Sequence, residues 1–216
     1  MEDYFSIDNF FSEKEMLKFD EIILDLENKG LGKDSIPPWG PFKDQLVVNY
    51  LPLKNTEIAK IVFNKISPLF PKNIIFNNID RNKLFLPWDV HADYFIHTCQ
   101  AGYEPYYTLL IPLNNVNSRT IIFNQTTDGP DDFSTYKETH EHIENPISEE
   151  FWRENLSMCW DHDRKYLSLK AAGEYQRRGQ LNAFHRKYFH SSDNFHLRLT
   201  EPKSFIQVRI DILKDA

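Results

Sequence analysis

Only two cysteines, Cys99 and Cys159, occur in 216 residues, and neither carries a partner motif. They cannot build a structural zinc site, and a reduced, intracellular (cytoplasmic) protein with two buried free thiols is expected. Glycine is scarce as well, at seven residues, and the chain holds no P-loop, no glycine-rich dinucleotide fingerprint and no nucleophile elbow. No apolar run approaches the ~20 residues that span a bilayer, so no membrane partner is expected. Met1-Glu2-Asp3-Tyr4 lacks the basic and apolar regions of a secretory leader, and none is expected. Positive charge is in deficit: 25 Lys and Arg stand against 32 Asp and Glu, a formal net charge of −7. A phosphate-backbone binder usually shows a basic patch, so no nucleic-acid partner is expected.

What the chain has in quantity is aromatic side chains, with 17 Phe and 10 Tyr. Such a chain can bury a core, and its length suits one domain. Ser12-Glu13-Lys14-Glu15 forms a capping box, and Phe19, Ile22, Ile23 and Leu26 follow at helical spacing up to Gly30. Gly30 to Pro41 reads as a loop, and Gln45 to Leu51 as a short strand. Thr56 to Ile66 returns to helical spacing through Ile58, Ile61, Val62 and Ile66, with Pro68 as its stop.

From Ile74 onward short apolar runs follow one another: Ile74–Ile79, Lys83–Phe95, Tyr106–Leu113 and Arg119–Asn124, then Leu181–Phe189 and Ser204–Leu213. Their links carry Asn, Asp, Gly and Pro, the texture of a sandwich or barrel of short strands. The expected fold is mainly β with flanking helices (α+β), on a double-stranded β-helix (jelly-roll, cupin-like) core. A single domain over 1–216 is expected: helices and a support strand over 1–72, the jelly-roll core over 73–125 and 180–214, and a polar, partly helical insertion over 126–179. Within that insertion Glu149 to Leu156 fits a helical turn or two, and Trp152 and Trp160 read as packing anchors.

The chemistry concentrates in Pro87-Trp88-Asp89-Val90-His91-Ala92-Asp93-Tyr94-Phe95. Residues two apart on a strand share a face, so His91 and Asp93 can reach one metal ion from one piece of backbone. The best third ligand is His190, at the end of a late strand. Two histidines and one carboxylate with open positions form the facial triad of non-haem Fe(II) oxygenases. His97 shares strand parity with His91 and Asp93 and is a candidate substrate contact. Two other His–carboxylate groups, His140-Glu141-His142 and Asp161-His162-Asp163, lie in the polar insertion and read as charged surface loop.

These residues resemble the 2-oxoglutarate- and Fe(II)-dependent dioxygenases, especially their prolyl-hydroxylase-like branch. His91-Ala92-Asp93 matches the first two ligands. Tyr107 to Asn114 and Arg119 to Phe123 match the two strands that follow, and Gly179 to Phe184 leading to Phe189-His190-Ser191-Ser192 matches the strand bringing in the distal histidine. The motifs are short but run in order over roughly the last two-thirds of the chain. One departure is Asn117-Ser118, where the family often has Gly-Gly; another is the long insertion before the distal motif.

The resemblance implies Fe(II) and 2-oxoglutarate as cofactors, dioxygen as cosubstrate, and hydroxylation of a C–H bond in a peptide side chain or small molecule with release of succinate and CO2. It implies a cation on the strand after the distal histidine that anchors the 2-oxoglutarate carboxylate. Lys203 stands nearest that position and Arg209 is second, while Arg186 and Arg198 are weaker choices. Tyr106 and Thr108 share a face and are candidates for hydrogen-bonding the cosubstrate. Substrate choice is expected to lie with the 126–179 insertion. The alternatives are a non-catalytic jelly-roll or cupin protein that binds a metal or ligand, and a cupin-type isomerase or a dioxygenase that uses no 2-oxoglutarate. Nothing in the sequence reports oligomeric state.

Overall fold

The structure is a computed structural model that describes residues 2–37, 42–128, 133–173, 175–199 and 201–214. Among them, two antiparallel sheets are stacked between helices on one side and a helical segment on the other. The larger sheet has the order β1 (Tyr4–Ile7), β8 (Leu181–His185), β5 (Tyr103–Pro112), β10 (Lys203–Leu213), β4 (Ile74–Leu84), β3 (Val48–Pro52), β2 (Lys33–Ser35). The smaller has the order β7 (Leu169–Ala172), β6 (Thr120–Thr126), β9 (Tyr188–Ser192). This is a double-stranded β-helix, as the strand texture predicts.

Helix α1 (Glu13–Asn28) starts where the capping box places it. The Ser12 amide donates to Glu15 Oε2 at 2.7 Å and the Glu15 amide donates to Ser12 Oγ at 3.4 Å, so two otherwise orphaned N–H groups are satisfied. Met16, Phe19 and Ile23 form its buried stripe. Helix α2 (Glu57–Ile66) is capped by Thr56, buries Ile58, Val62 and Ile66, and runs into a 3-10 turn at Ser67–Leu69 that begins around Pro68. Both stripes lie on one face of the large sheet, against Tyr107, Leu109 and Ile111 of β5 and Ile206, Val208 and Ile210 of β10. Each such side chain, fully buried, contributes roughly 1.5–3 kcal/mol.

The period-two alternation of a strand sends the intervening residues the other way. Leu110 of β5, Phe184 of β8, Phe205 of β10, and Val48 and Leu84 meet Ile122 and Tyr188 of the small sheet, and this inter-sheet core encloses one end of a cleft. The outer face of the small sheet is covered by α3 (Phe133–Thr139), α4 (Glu149–Asn155) and their connections, through Phe133, Ile147, Trp152 and Leu156. Trp152 anchors this layer, whereas Trp160 is 50% exposed and does not.

Three element boundaries differ from the sequence reading. Ile74–Ile79 and the start of Lys83–Phe95 are one continuous strand, β4, which ends at Leu84. Leu181–Phe189 is two strands in different sheets, β8 and β9, divided at Arg186-Lys187. Within Gly30–Pro41, Lys33–Ser35 pairs with β3 as β2, and residues 38–41 lie outside the described ones. The entry to β8 needs its glycine. Gly179 sits at φ +77°, and an added Cβ would lie 2.7 Å from the Phe11 carbonyl oxygen.

Candidate active site

After β4 the chain leaves the large sheet and crosses to the small one. Pro87 offers no amide hydrogen for a ladder, and the Asp89 carboxylate accepts from the Val90 amide at 2.8 Å, so the segment turns instead of extending. His91 is therefore not inside a long strand. It makes one two-way bridge to β9: the His91 amide donates to the His190 carbonyl at 3.0 Å, and the His190 amide donates back at 2.8 Å. That bridge puts the two imidazoles side by side, 4.3 Å between ring centres. Asp93 follows on the same segment. Candidate ligand atoms of His91, Asp93 and His190 all lie within 4.8 Å of one another, and His190 Nε2 is 3.8 Å from Asp93 Oδ2.

The hydrogen bonds around these three residues fix their orientation. His91 Nδ1 faces the Asp89 carbonyl at 2.6 Å, and His190 Nδ1 faces the Tyr188 carbonyl at 3.1 Å. A carbonyl only accepts, so each Nδ1 carries the proton and donates it, and each Nε2 keeps a free lone pair. Backbone acceptors of this kind orient metal-binding histidines. Asp93 Oδ2 accepts from Thr108 Oγ1 at 2.7 Å and from Gln207 Nε2 at 3.2 Å, while Arg209 Nη2 stands 3.6 Å from Oδ1. The Asp93 backbone is gripped from behind: Arg186 Nε donates to its carbonyl at 2.6 Å, and Arg186 Nη1 pairs with Asp211 at 2.5 Å, both side chains fully buried.

Electrostatics set the charge states that a divalent metal needs. Burial, with the neighbouring His190 charge, pushes the His91 pKa down to about 4. Burial likewise lowers that of His190 against the pull of Asp93. Burial works against ionising Asp93, yet Arg209, the two imidazoles and the Thr108 hydroxyl outweigh it and hold the carboxyl well below its usual range. The result is two neutral imidazoles and one carboxylate, the donor set that suits Fe(II).

The triad opens into a cleft of about 350 Å³ between the sheets. Lys203 lines it from β10, only 1% exposed. Its ammonium makes no hydrogen bond and no ion pair among the described residues. The rings of Phe195 and Phe205 lie 5.8 and 5.5 Å away. Burial lowers its pKa to about 8, with Asp193 opposing.

The structure thus gathers His91, Asp93, His190, Lys203 and Arg209 around one cleft, with the Thr108 hydroxyl on Asp93. Tyr106 and His97 are not among its lining residues. The Tyr106 ring packs against Phe70, Tyr107 and His185 on the far side of β5, and His97 is exposed on a 3-10 turn. His140, Glu141 and His142 are exposed, as surface loop should be, but Asp163 is buried against Lys137 and His162. Among the described residues, none from 126–179 lines the cleft, so its lining lends no support to the expectation that this segment chooses the substrate. Its apolar side chains are spent covering the outer face of the small sheet. The outer cleft is instead lined by β4, with Asn78, Asp80 and Asn82. Only Ile79 is apolar between Asn78 and Asn82, since Arg81 is charged, so no polar–apolar alternation marked these residues in the sequence.

No protein-family model matches the chain, and neither does any curated protein sequence. Solved structures do match. The non-heme alpha ketoglutarate dependent carbocyclase SnoK from nogalamycin biosynthesis superposes with a TM-score of 0.61 at 16% identity, over 97% of this chain and 79% of that one. HygX from Streptomyces hygroscopicus, with nickel and 2-oxoglutarate bound, gives 0.57 at 12% identity, over 97% and 82%. A prolyl hydroxylase from Trichoplax adhaerens, in complex with a hypoxia inducible factor peptide fragment, gives 0.51 at 10% identity, over 98% and 83%. At these identities the likeness establishes the architecture: the chain has the double-stranded β-helix fold of the 2-oxoglutarate/Fe(II) oxygenases.

Proposed function

We propose that the protein is a 2-oxoglutarate- and Fe(II)-dependent oxygenase that hydroxylates a C–H bond of a small molecule or peptide side chain. The observation that carries this reading is a buried ammonium, Lys203, that has no counter-ion among the described residues and lies in the same cleft as an oriented His91–Asp93–His190 group. An unpaired buried charge is costly unless an opposite charge joins it, and a dicarboxylate brings one.

His91 Nε2, His190 Nε2 and Asp93 are the groups that would hold iron, leaving positions for 2-oxoglutarate and dioxygen. Iron there supplies the oxygen chemistry, in which one oxygen atom enters the substrate C–H bond and the other enters succinate as 2-oxoglutarate loses CO2. Lys203 pairs with the far carboxylate of 2-oxoglutarate. Phe184, Phe205 and Leu110 keep water from that end of the cleft, which strengthens the pairing. Thr108 and Gln207 hold the Asp93 carboxylate, and Arg186 holds its backbone, so the ligand geometry is set in advance.

A single domain over 1–216, with 126–179 as an insertion bearing on the outer sheet face, fits this arrangement. Free Cys99 and Cys159 fit the reducing interior of a cell, where Fe(II) persists. The test is succinate release with Fe(II) and 2-oxoglutarate in air. Wild-type protein should release succinate, and Asp93→Ala or His91→Ala should abolish the release while retaining the fold by circular dichroism. Full turnover by either variant refutes the ligand assignment. Binding of metal and 2-oxoglutarate without oxygen-dependent decarboxylation would leave a jelly-roll binding protein.

A further inference from the structure

The cleft has two chemically distinct ends. Along β10 the residues facing it run from Lys203 to Arg209, six positions of strand, or about 20 Å at ~3.3 Å per residue. That is far longer than a five-carbon dicarboxylate. Asp93 stands beside Arg209, not Lys203, with Arg209 Nη2 at 3.6 Å. A cosubstrate held at the triad and reaching Lys203 therefore leaves the Arg209 end free.

That end carries two opposite charges that do not satisfy each other. Arg209 makes no hydrogen bond among the described residues. Its Nε is buried without a partner, and its guanidinium rests over the Phe95 ring at 4.7 Å. Asp80, half-buried on β4, accepts one hydrogen bond, from Asn78 Nδ2, and makes no ion pair among the described residues. Both side chains line the cleft from neighbouring strands: Gln207 stands opposite Asp80 in register and Arg209 opposite Asn78. The flanking amides are already committed, since Asn82 Nδ2 donates to Gln207 Oε1 at 3.3 Å.

A guanidinium with free donors and a carboxylate with free lone pairs, held apart on one wall, are complementary to a guest that carries both charges. An anion alone leaves Asp80 without an ion pair, and an ammonium alone leaves the Arg209 N–H groups without an acceptor, since Asp93 at 3.6 Å balances the charge but takes no hydrogen bond from them. A residue inside a peptide chain has neither an α-ammonium nor an α-carboxylate. We propose that the Arg209–Asp80 end is the substrate subsite and that it takes a free amino acid, with Arg209 holding the carboxylate and Asp80 the ammonium. A cleft of about 350 Å³ that also houses the cosubstrate suits a guest of that size. The proposal rests on the oxygenase reading above, with the same balance: amino acid C–H, dioxygen and 2-oxoglutarate give the hydroxy amino acid, succinate and CO2.

The experiment incubates wild-type protein with Fe(II), 2-oxoglutarate and each common protein amino acid in turn, reading succinate and the addition of one oxygen atom by mass spectrometry. At least one amino acid should raise succinate about tenfold or more and gain an oxygen, and its N-acetyl and carboxamide forms should each lose about tenfold or more in kcat/KM. Asp80→Asn should shrink the gap between the free and N-acetylated compounds, and Arg209→Gln the gap between acid and amide. A loss of fold would instead lower all of these together. If uncoupled succinate forms but no amino acid stimulates it, or the capped forms work equally well, this proposal is overturned and the oxygenase reading stands. If no succinate forms under any condition, the oxygenase reading itself fails.

Discussion

Replacing Lys203 by methionine should make the protein more stable and less able to bind 2-oxoglutarate. The ammonium is 1% exposed, with no hydrogen bond or ion pair among the described residues, and burial lowers its pKa from 10.5 to about 8. A lysine in the unfolded chain titrates near 10.4, so the folded state holds this proton less tightly, by about 3 kcal/mol at 1.36 kcal/mol per pKa unit. Because the folded pKa lies below the unfolded one, the penalty is full below about pH 8 and fades as pH rises from there to about 10.5. Methionine keeps the length of the four-atom apolar stem and removes the charged nitrogen. Urea unfolding of metal-free protein at pH 7 should therefore show a gain of about 3 kcal/mol, which is about 6–12 °C in Tm for a domain of this size. At pH 10 the gain should shrink to under about 1 kcal/mol. In the same variant, 2-oxoglutarate affinity measured by calorimetry should fall about 30-fold or more, the loss of roughly 2 kcal/mol expected for a buried charge pair. A variant that is less stable, equally stable at both pH values, or still able to bind 2-oxoglutarate refutes the view that Lys203 is a strained cation kept for its ligand.

Two further predictions concern the same cleft. The kcat/KM for 2-oxoglutarate should fall as pH rises through about 8, where Lys203 loses its proton, and Lys203→Arg should flatten that profile because a guanidinium stays charged; an unchanged profile in the arginine variant contradicts the assignment. Arg186→Lys removes one arm of the buried grip on the Asp93 carbonyl and on Asp211, at a cost of about 3–5 kcal/mol if the pair is broken. It should also lower Fe(II) affinity about 10–100-fold, and retained affinity in a folded variant would show that Arg186 does not position the ligand.

Much of the architecture was legible because its signals are local. Ser12 and Glu15 fix the start of α1 whatever lies around them, and the apolar spacing of Ile58, Val62 and Ile66 fixes the buried face of α2. The candidate triad was legible for a different reason: imidazole and carboxylate side chains state their chemistry in their names. The misread stretches are those whose reasons lie far off in sequence. Asp80 to Asn82 looks like a break between strands, yet Asn78, Asp80 and Asn82 face the cleft while Arg81 turns to Glu27 and Asn49 behind the sheet. The turn between β8 and β9 contains no Gly, Pro or Asn. It is set by Arg186 burying itself against Asp211 and the Asp93 carbonyl, partners 25 and 93 residues away. His91 sits outside any continuous strand, and one bridge to His190 does what the strand was expected to do.

The most direct test of the central claim is the anaerobic visible spectrum of the protein with Fe(II) and 2-oxoglutarate. Two imidazole nitrogens, the Asp93 carboxylate and a chelated 2-oxoglutarate should give a weak charge-transfer band that is absent with either component alone and lost in Asp93→Ala. A wild-type protein that binds Fe(II) yet shows no such band on addition of 2-oxoglutarate would contradict the account.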